Sequence, residues 1–267
     1  MSSLTSLPDY EKFVEIQQNV YRARFSLKLY GSTYPTSIFL VHIPTTKDCI
    51  LVDGGDPDNV TKITNAISSH FESFPEYKLK YVVLTHGHFD HTGVLLKLLN
   101  DYKDIKIVMG ENEIPFVVHG KKYSEITGDT LTYQLLKHFF AEGKAIGNED
   151  RVIAIKEGRE DEFEFHNDLR PIFTVGHTPG SLSYLHVPTN IILIGDLVFN
   201  FPLIQIPIFS AKNNISIPIT SFSVSESKNS IKKVVEMESE VNFVFPAHDL
   251  YQNGISIEEF KQHAQKL

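Results

Sequence analysis

The sequence predicts a layered α/β fold in one domain spanning residues 1–267, on three observations. Short apolar runs rich in β-branched residues recur along the whole chain, and stretches with helical spacing fall between them. Strands and helices therefore intermingle, which favours sheets covered by helices over an all-α or all-β architecture. No Gly/Ser linker or charge block divides the chain.

In order, residues 14–30 read as extended with partial alternation. Residues 37–42 and 49–52 are strand-length apolar runs, and 58–71 carries the first helical pattern. A strand at 81–84, a helix at 92–100 and a strand at 105–109 follow. Helices are expected at 110–119 and 130–140, then strands at 171–175, 182–187 and 191–194. A helix at 225–239, a strand at 242–245 and a helix at 256–264 complete the series. Ser256 begins Ser-Ile-Glu-Glu, so Glu259 stands where a capping box needs it. The stretch at about 111–170 is polar, irregular and partly helical, and is expected to be an insertion between two halves. Two halves are also suggested by Ile50-Leu51-Val52-Asp53-Gly54 and Ile192-Leu193-Ile194-Gly195-Asp196, two apolar runs ending in Asp and Gly.

Composition narrows the function classes. The hydrophobic share is 42% and the charged share 22%, ordinary for a water-soluble globular chain. The net charge is −8 and basic residues cluster only as the pairs Lys121-Lys122 and Lys232-Lys233, so nucleic acid is not an expected partner. Nothing approaches eighteen uninterrupted apolar residues, and residues 1–10 lack a basic segment followed by an apolar core. No membrane partner is expected, and the cytoplasm is the expected location. The single cysteine, Cys49, lies in an apolar run and is expected to be a buried thiol, compatible with a reducing compartment.

The strongest signal is Thr85-His86-Gly87-His88-Phe89-Asp90-His91-Thr92-Gly93, directly after the strand at 81–84. Three imidazoles and a carboxylate in so short a turn form a donor set suited to zinc, iron or nickel. His86 and His88 project together from a tight loop, and Asp90 and His91 continue around it. Three further candidates each follow an apolar strand. They are His177 in Gly-His-Thr-Pro-Gly, Asp196 in Ile-Gly-Asp and His248 in Pro-Ala-His. Strand ends suit ligands because the sheet fixes the backbone while the loop sets the angle. The remaining histidines read as surface or packing residues, with His119 and His138 the candidates for substrate contact.

This ordered set resembles the signature of the metallo-β-lactamase superfamily, from Asp53 in Leu-Val-Asp-Gly-Gly to His248. The resemblance implies a four-layer αβ/βα sandwich. It implies that His86, His88 and His177 bind one metal ion, that Asp90, His91 and His248 bind a second, and that Asp196 bridges them. Asp53 would steady the histidine loop without being a ligand. The all-His/Asp set is similar to the glyoxalase II and lactonase branches. Two divalent ions are therefore expected, zinc first, with manganese or iron as alternatives. Such a pair shares a water and lowers its pKa toward neutrality, so hydroxide is the expected nucleophile and Asp90 the residue that orients it.

The expected substrate is a small molecule with a carboxylic ester-type bond, lactone or thioester. The apolar stretch at 197–222 and the aromatic residues Tyr123, Tyr133, Phe139 and Phe140 are candidate pocket walls. No basic cluster is placed to receive glutathione carboxylates. The tyrosine that similar lactonases carry three residues after the bridging aspartate is replaced by Phe199. Three alternatives stand beside this reading: a nuclease of the same fold, a mononuclear iron persulfide-type dioxygenase using His86, His177 and Asp196, and a binding protein without catalysis.

Overall fold

Two β-sheets face one another in the computed structural model, which describes residues 4–29, 31–137, 143–200 and 215–267. The first sheet holds seven strands side by side in chain order. They are β1 (Val14–Gln17), β2 (Val20–Leu29), β3 (Ser32–Ile43), β4 (Asp48–Val52), β5 (Lys78–Val83), β6 (Lys106–Gly110) and β7 (Val152–Ile155). β1 to β4 form an antiparallel meander, and β4 to β7 run parallel. The second sheet comprises β8 (Leu169–Phe173), β9 (Leu182–His186), β10 (Ile191–Gly195), β11 (Phe243–Pro246) and β12 (Ile255–Ser256), laid out β12-β11-β10-β9-β8.

The helices are α1 (Val60–Ser73), α2 (Phe89–Thr92), α3 (Leu95–Asp101), α4 (Ile114–Val117), α5 (Leu131–Leu136), α6 (Val224–Glu236) and α7 (Ile257–Ala264). Three apolar cores separate four layers. Leu51, Val82 and Ile107 face Ile63, Ile67, Leu95 and Leu98 of α1 and α3. Ile50, Val52 and Val83 face Tyr184, Ile191, Leu193 and Phe245 across the gap between the sheets. Ile192, Ile194 and Val244 face Ile231, Val234 and Phe260 of α6 and α7. This is the expected αβ/βα sandwich. It also explains why Ile50-Leu51-Val52 and Ile191–Ile194 read as unbroken apolar runs: alternate residues enter different cores, so neither face of the strand meets water.

The internal echo is a structural one. β4 leads through α1 to its parallel neighbour β5, and β10 leads through α6 to its parallel neighbour β11. The equivalent residues Asp53 and Gly195 both turn the chain left-handed, at φ 63° and 51°. A side chain at Gly195 would press on Thr85, its Cβ 2.6 Å from the threonine Cβ, so two constraints select glycine there.

Some elements differ from expectation. The helix expected at 110–119 is a 3-10 turn (Glu111–Glu113) followed by α4, because Pro115 has no N–H to donate and is accommodated only at a helix start. β7 and β12 were not anticipated. β7 lies inside the stretch at 111–170 and extends the first sheet. The Ser256–Glu259 capping box is present. Cys49 is fully buried. Among the described residues no helix is long and apolar enough to cross a membrane.

Candidate metal centre

The seven predicted residues meet at the carboxyl ends of strands. His86, His88, Asp90 and His91 follow β5, with Asp90 and His91 on the single turn of α2. His177 follows β8, Asp196 follows β10 and His248 follows β11. Three groups have donor atoms within 4.8 Å of one another: the triplets His86–His88–His177 and Asp90–His91–His248, and His86–His91–Asp196, which joins them. His88 Nδ1 lies 3.1 Å from His86 Nε2 and 2.9 Å from His177 Nε2. His248 Nε2 lies 3.2 Å from Asp90 Oδ2. Asp196 stands between the triplets. Its Oδ2 is 3.5 Å from His177 Nε2 and 3.4 Å from His248 Nε2, and its Oδ1 is 3.3 Å from His91 Nε2.

Four of the five imidazoles are held from behind through Nδ1, which turns Nε2 inward. His91 Nδ1 donates to Asp53 Oδ2 at 2.9 Å, and His248 Nδ1 donates to the Pro35 carbonyl at 2.7 Å. His86 Nδ1 donates to Thr85 Oγ1 at 3.1 Å, while that hydroxyl donates to Asp53 Oδ2. His177 Nδ1 is 3.4 Å from Ser221 Oγ. Asp53 also accepts the Thr85 amide at 2.8 Å, so the residue expected to steady the histidine loop touches both its strand exit and its last histidine.

Burial and charge divide the ring set. Burial, reinforced by neighbouring imidazoles, holds His86 well below the usual histidine range. Burial takes His88 down to about 4 and His177 to about 3, so all three present lone pairs at neutral pH. Burial opposes charge on His91 and His248 too, but the carboxylates of Asp196 and Asp90 outweigh it. His91 is raised well above its ordinary value and His248 to about 10. Reciprocally, despite burial, His91 and His248 draw Asp90 down and Asp196 well down.

The donor set fits a bound cation. Every ion-pair contact of Asp90 and Asp196 among the described residues is to a histidine, and both carboxylates are buried. The inward His91 Nε2 and Asp196 Oδ1 are buried with no hydrogen-bond partner among the described residues. Buried carboxylates and orphaned ligand atoms are what an ion resolves, displacing the protons that His91 and His248 otherwise hold.

Aromatic rings flank the cluster. Tyr123 meets His88 edge-on at 4.6 Å between ring centres, and Phe199 meets His248 at 5.0 Å. Tyr133 is buried behind Tyr123 and donates to its carbonyl at 3.1 Å. Phe139, Phe140, His138 and residues 201–214 of the expected apolar wall lie outside the described residues. His119 is half exposed and pairs with Glu149. Sequence reasoning missed Glu113 and the group Asp9, Arg22 and Arg24, all buried beside the loops that carry the seven candidate residues. Glu113 had one available signal, a carboxylate shortly after an apolar strand.

Comparison with known proteins gives a consistent grouping. The family model of the Metallo-beta-lactamase superfamily matches residues 31–248. Among curated proteins, "Probable metallo-hydrolase YflN" of Bacillus subtilis is 27% identical over 165 residues, 61% of this chain and 60% of that protein. The match thus spans three fifths of that relative. The hydroxyacylglutathione hydrolase of Aliivibrio fischeri is 31% identical over 83 residues, 31% of this chain and 29% of that protein. Among solved structures, the metallo-beta-lactamase FIM-1 of Pseudomonas aeruginosa in its mono-zinc form superposes with a TM-score of 0.60. It is 15% identical and covers 96% of this chain and 95% of its own, a likeness of fold.

Proposed function

The chain belongs to the metallo-beta-lactamase superfamily, and on that premise we propose that it is a metal-dependent hydrolase using two divalent ions, zinc, to cleave a carboxylic ester-type bond in a small molecule. The observation that carries this reading is Asp196, whose two oxygens face histidines of both triplets. His86, His88 and His177 would hold one ion, Asp90, His91 and His248 the other, and Asp196 would serve both. Bound ions supply Lewis acidity and a hydroxide nucleophile near neutral pH, so the chain needs no nucleophilic Ser or Cys.

The chain's own residues supply position and environment. Three neutral imidazoles present lone pairs at once, because burial disfavours their charged forms. Asp90 lies beside His248, and despite burial the charges of His91 and His248 hold its carboxyl below the ordinary range, so that it would orient a nucleophile's proton. The rings of Tyr123 and Phe199 flank the two triplets with apolar surface, which suits an uncharged carbonyl substrate. The likeness to a hydroxyacylglutathione hydrolase supports a thioester, with a lactone as the other member of the class. The net charge of −8 argues against phosphodiester polymers. The proposed compartment is the cytoplasm, in keeping with a lone, buried thiol.

The test is reconstitution of metal-stripped protein with zinc, manganese or iron, metal counting by mass spectrometry, and a screen of thioesters and lactones. Hydrolysis should vanish on chelation and return with metal. Protein holding two equivalents that turns over neither class would overturn the reading.

A further inference from the structure

Glu113 is fully buried between the two loops that carry the first triplet. It closes the 3-10 turn after β6, so it too stands just past a strand end. Its carboxylate receives four donors. Oε2 accepts the Gly87 amide at 2.9 Å and the hydroxyl of Tyr123. Oε1 accepts the Thr178 hydroxyl at 2.6 Å and the Gly180 amide at 2.7 Å. Burial raises the Glu113 carboxyl above its ordinary value, and the four donors act against that shift.

The two oxygens serve different loops. Gly87 lies between His86 and His88, in the turn leaving the first sheet. Thr178 directly follows His177, in the turn leaving the second. One side chain thus ties together two segments that otherwise depend on separate sheets, at the place where His88 Nδ1 and His177 Nε2 come within 2.9 Å. The fit leaves no spare room. A Cβ at Gly87 would run into Tyr123 Oη, Val117 and the Glu113 carboxylate. Hydrogen bonds to a charged acceptor in a dry interior are strong and geometrically demanding, so the clamp fixes loop spacing closely.

We propose that Glu113 is a positioning residue for the first metal ion, setting the separation of His88 and His177 through their loops without touching ion or substrate. The proposal rests on reading His86, His88 and His177 as ligands. A ligand set holds its ion well only when its members stand within about 0.5 Å of the required geometry, and apart from Asp196, which meets the histidine rings themselves, no other described carboxylate contacts both loops.

The test is Glu113→Gln, which keeps the shape but turns one oxygen into a donor facing two donors, releasing one loop. Metal equivalents are counted, affinities are measured by chelator competition, and the cobalt-substituted protein is followed by its absorption spectrum. Wild type should bind two ions. The variant should lose about ten- to hundredfold in affinity for one of them, with an altered cobalt spectrum, and keep the other. In a His88→Ala background the same change should leave the remaining ion's affinity as it was. If Glu113→Gln fails to fold, Thr178→Val breaks the same clamp from the other side and should weaken the same ion. Wild-type affinity for both ions, or equal weakening of both, overturns the proposal. Wild-type protein that binds no metal overturns the reading of the site instead.

Discussion

Asp53 Oδ2 receives the Nδ1 proton of His91 at 2.9 Å, which leaves His91 Nε2 pointing at Asp196 Oδ1, 3.3 Å away. The same carboxylate holds Thr85, whose hydroxyl receives the Nδ1 proton of His86. One residue outside the proposed ligand set therefore fixes the tautomer of a histidine in each triplet. Asp53→Asn should lower metal affinity about ten- to hundredfold, because an amide presents one oxygen where two are used. Chelator competition reads the loss, and wild-type affinity would show that these tautomers are set elsewhere.

Asp196 and His88 should differ as deletions. Asp196 faces both triplets, whereas His88 belongs to one. His88→Ala should retain about one equivalent of metal and lose activity. Asp196→Ala should lose activity and weaken both ions. Metal counting on the purified variants separates these outcomes, and full turnover by either would count against the assignment.

The fold and the seven residues were legible because both are written locally. Apolar runs such as Ile50-Leu51-Val52 mark strands buried on both faces, and each of the seven candidate residues stands in a loop that follows such a run. The unread parts depend on distant segments. β7 is a four-residue run between Arg151 and Lys156, recognisable only once β6 is beside it. Alternation in β2 assigns Arg22 and Arg24 to water, yet both are buried because Asp9 and the chain after His248 close over them. Glu113 sits in a stretch without any motif, and its meaning depends on two loops from different sheets.

His42 and His70 predict a pH dependence of stability. Their Nε2 atoms are 2.8 Å apart, one donating and one accepting, and the rings pack among Tyr21, Phe74 and Tyr77. Burial takes His42 down to about 4, helped by Lys47, and takes His70 to about 4, helped by His42. Between pH 6.5 and 4 the unfolded chain therefore binds more protons than the folded one. The contribution is full above pH 6.5 and is lost as pH falls toward 4, at most about 1.4 kcal/mol per pH unit for each ring and less where solvent reaches it. Imidazole resonances should stay at their neutral positions from pH 7 to 5. Midpoints near 6.5 for these two rings would refute the prediction.

Asp9 predicts the largest single loss of stability outside the His/Asp cluster. Its carboxylate receives Arg22 Nε at 2.6 Å and Arg24 Nη1 at 2.9 Å, with all three side chains buried. The free arms of the guanidinium groups donate to the Tyr251 and Gln252 carbonyls, Arg22 Nη2 at 2.7 Å from the latter. The segment just after His248 is thus fastened to β2 by two cations that depend on one anion. Asp9→Ala leaves those cations buried with Asp249 as their remaining carboxylate neighbour, and breaking a buried pair in this way costs about 3–5 kcal/mol. Asp9→Asn keeps one acceptor and should cost less. Urea unfolding of both variants measures the order. A loss below about 1 kcal/mol for Asp9→Ala would mean that water reaches the two arginines and that the loop carrying His248 is held chiefly by its other bonds, such as His248 Nδ1 to the Pro35 carbonyl.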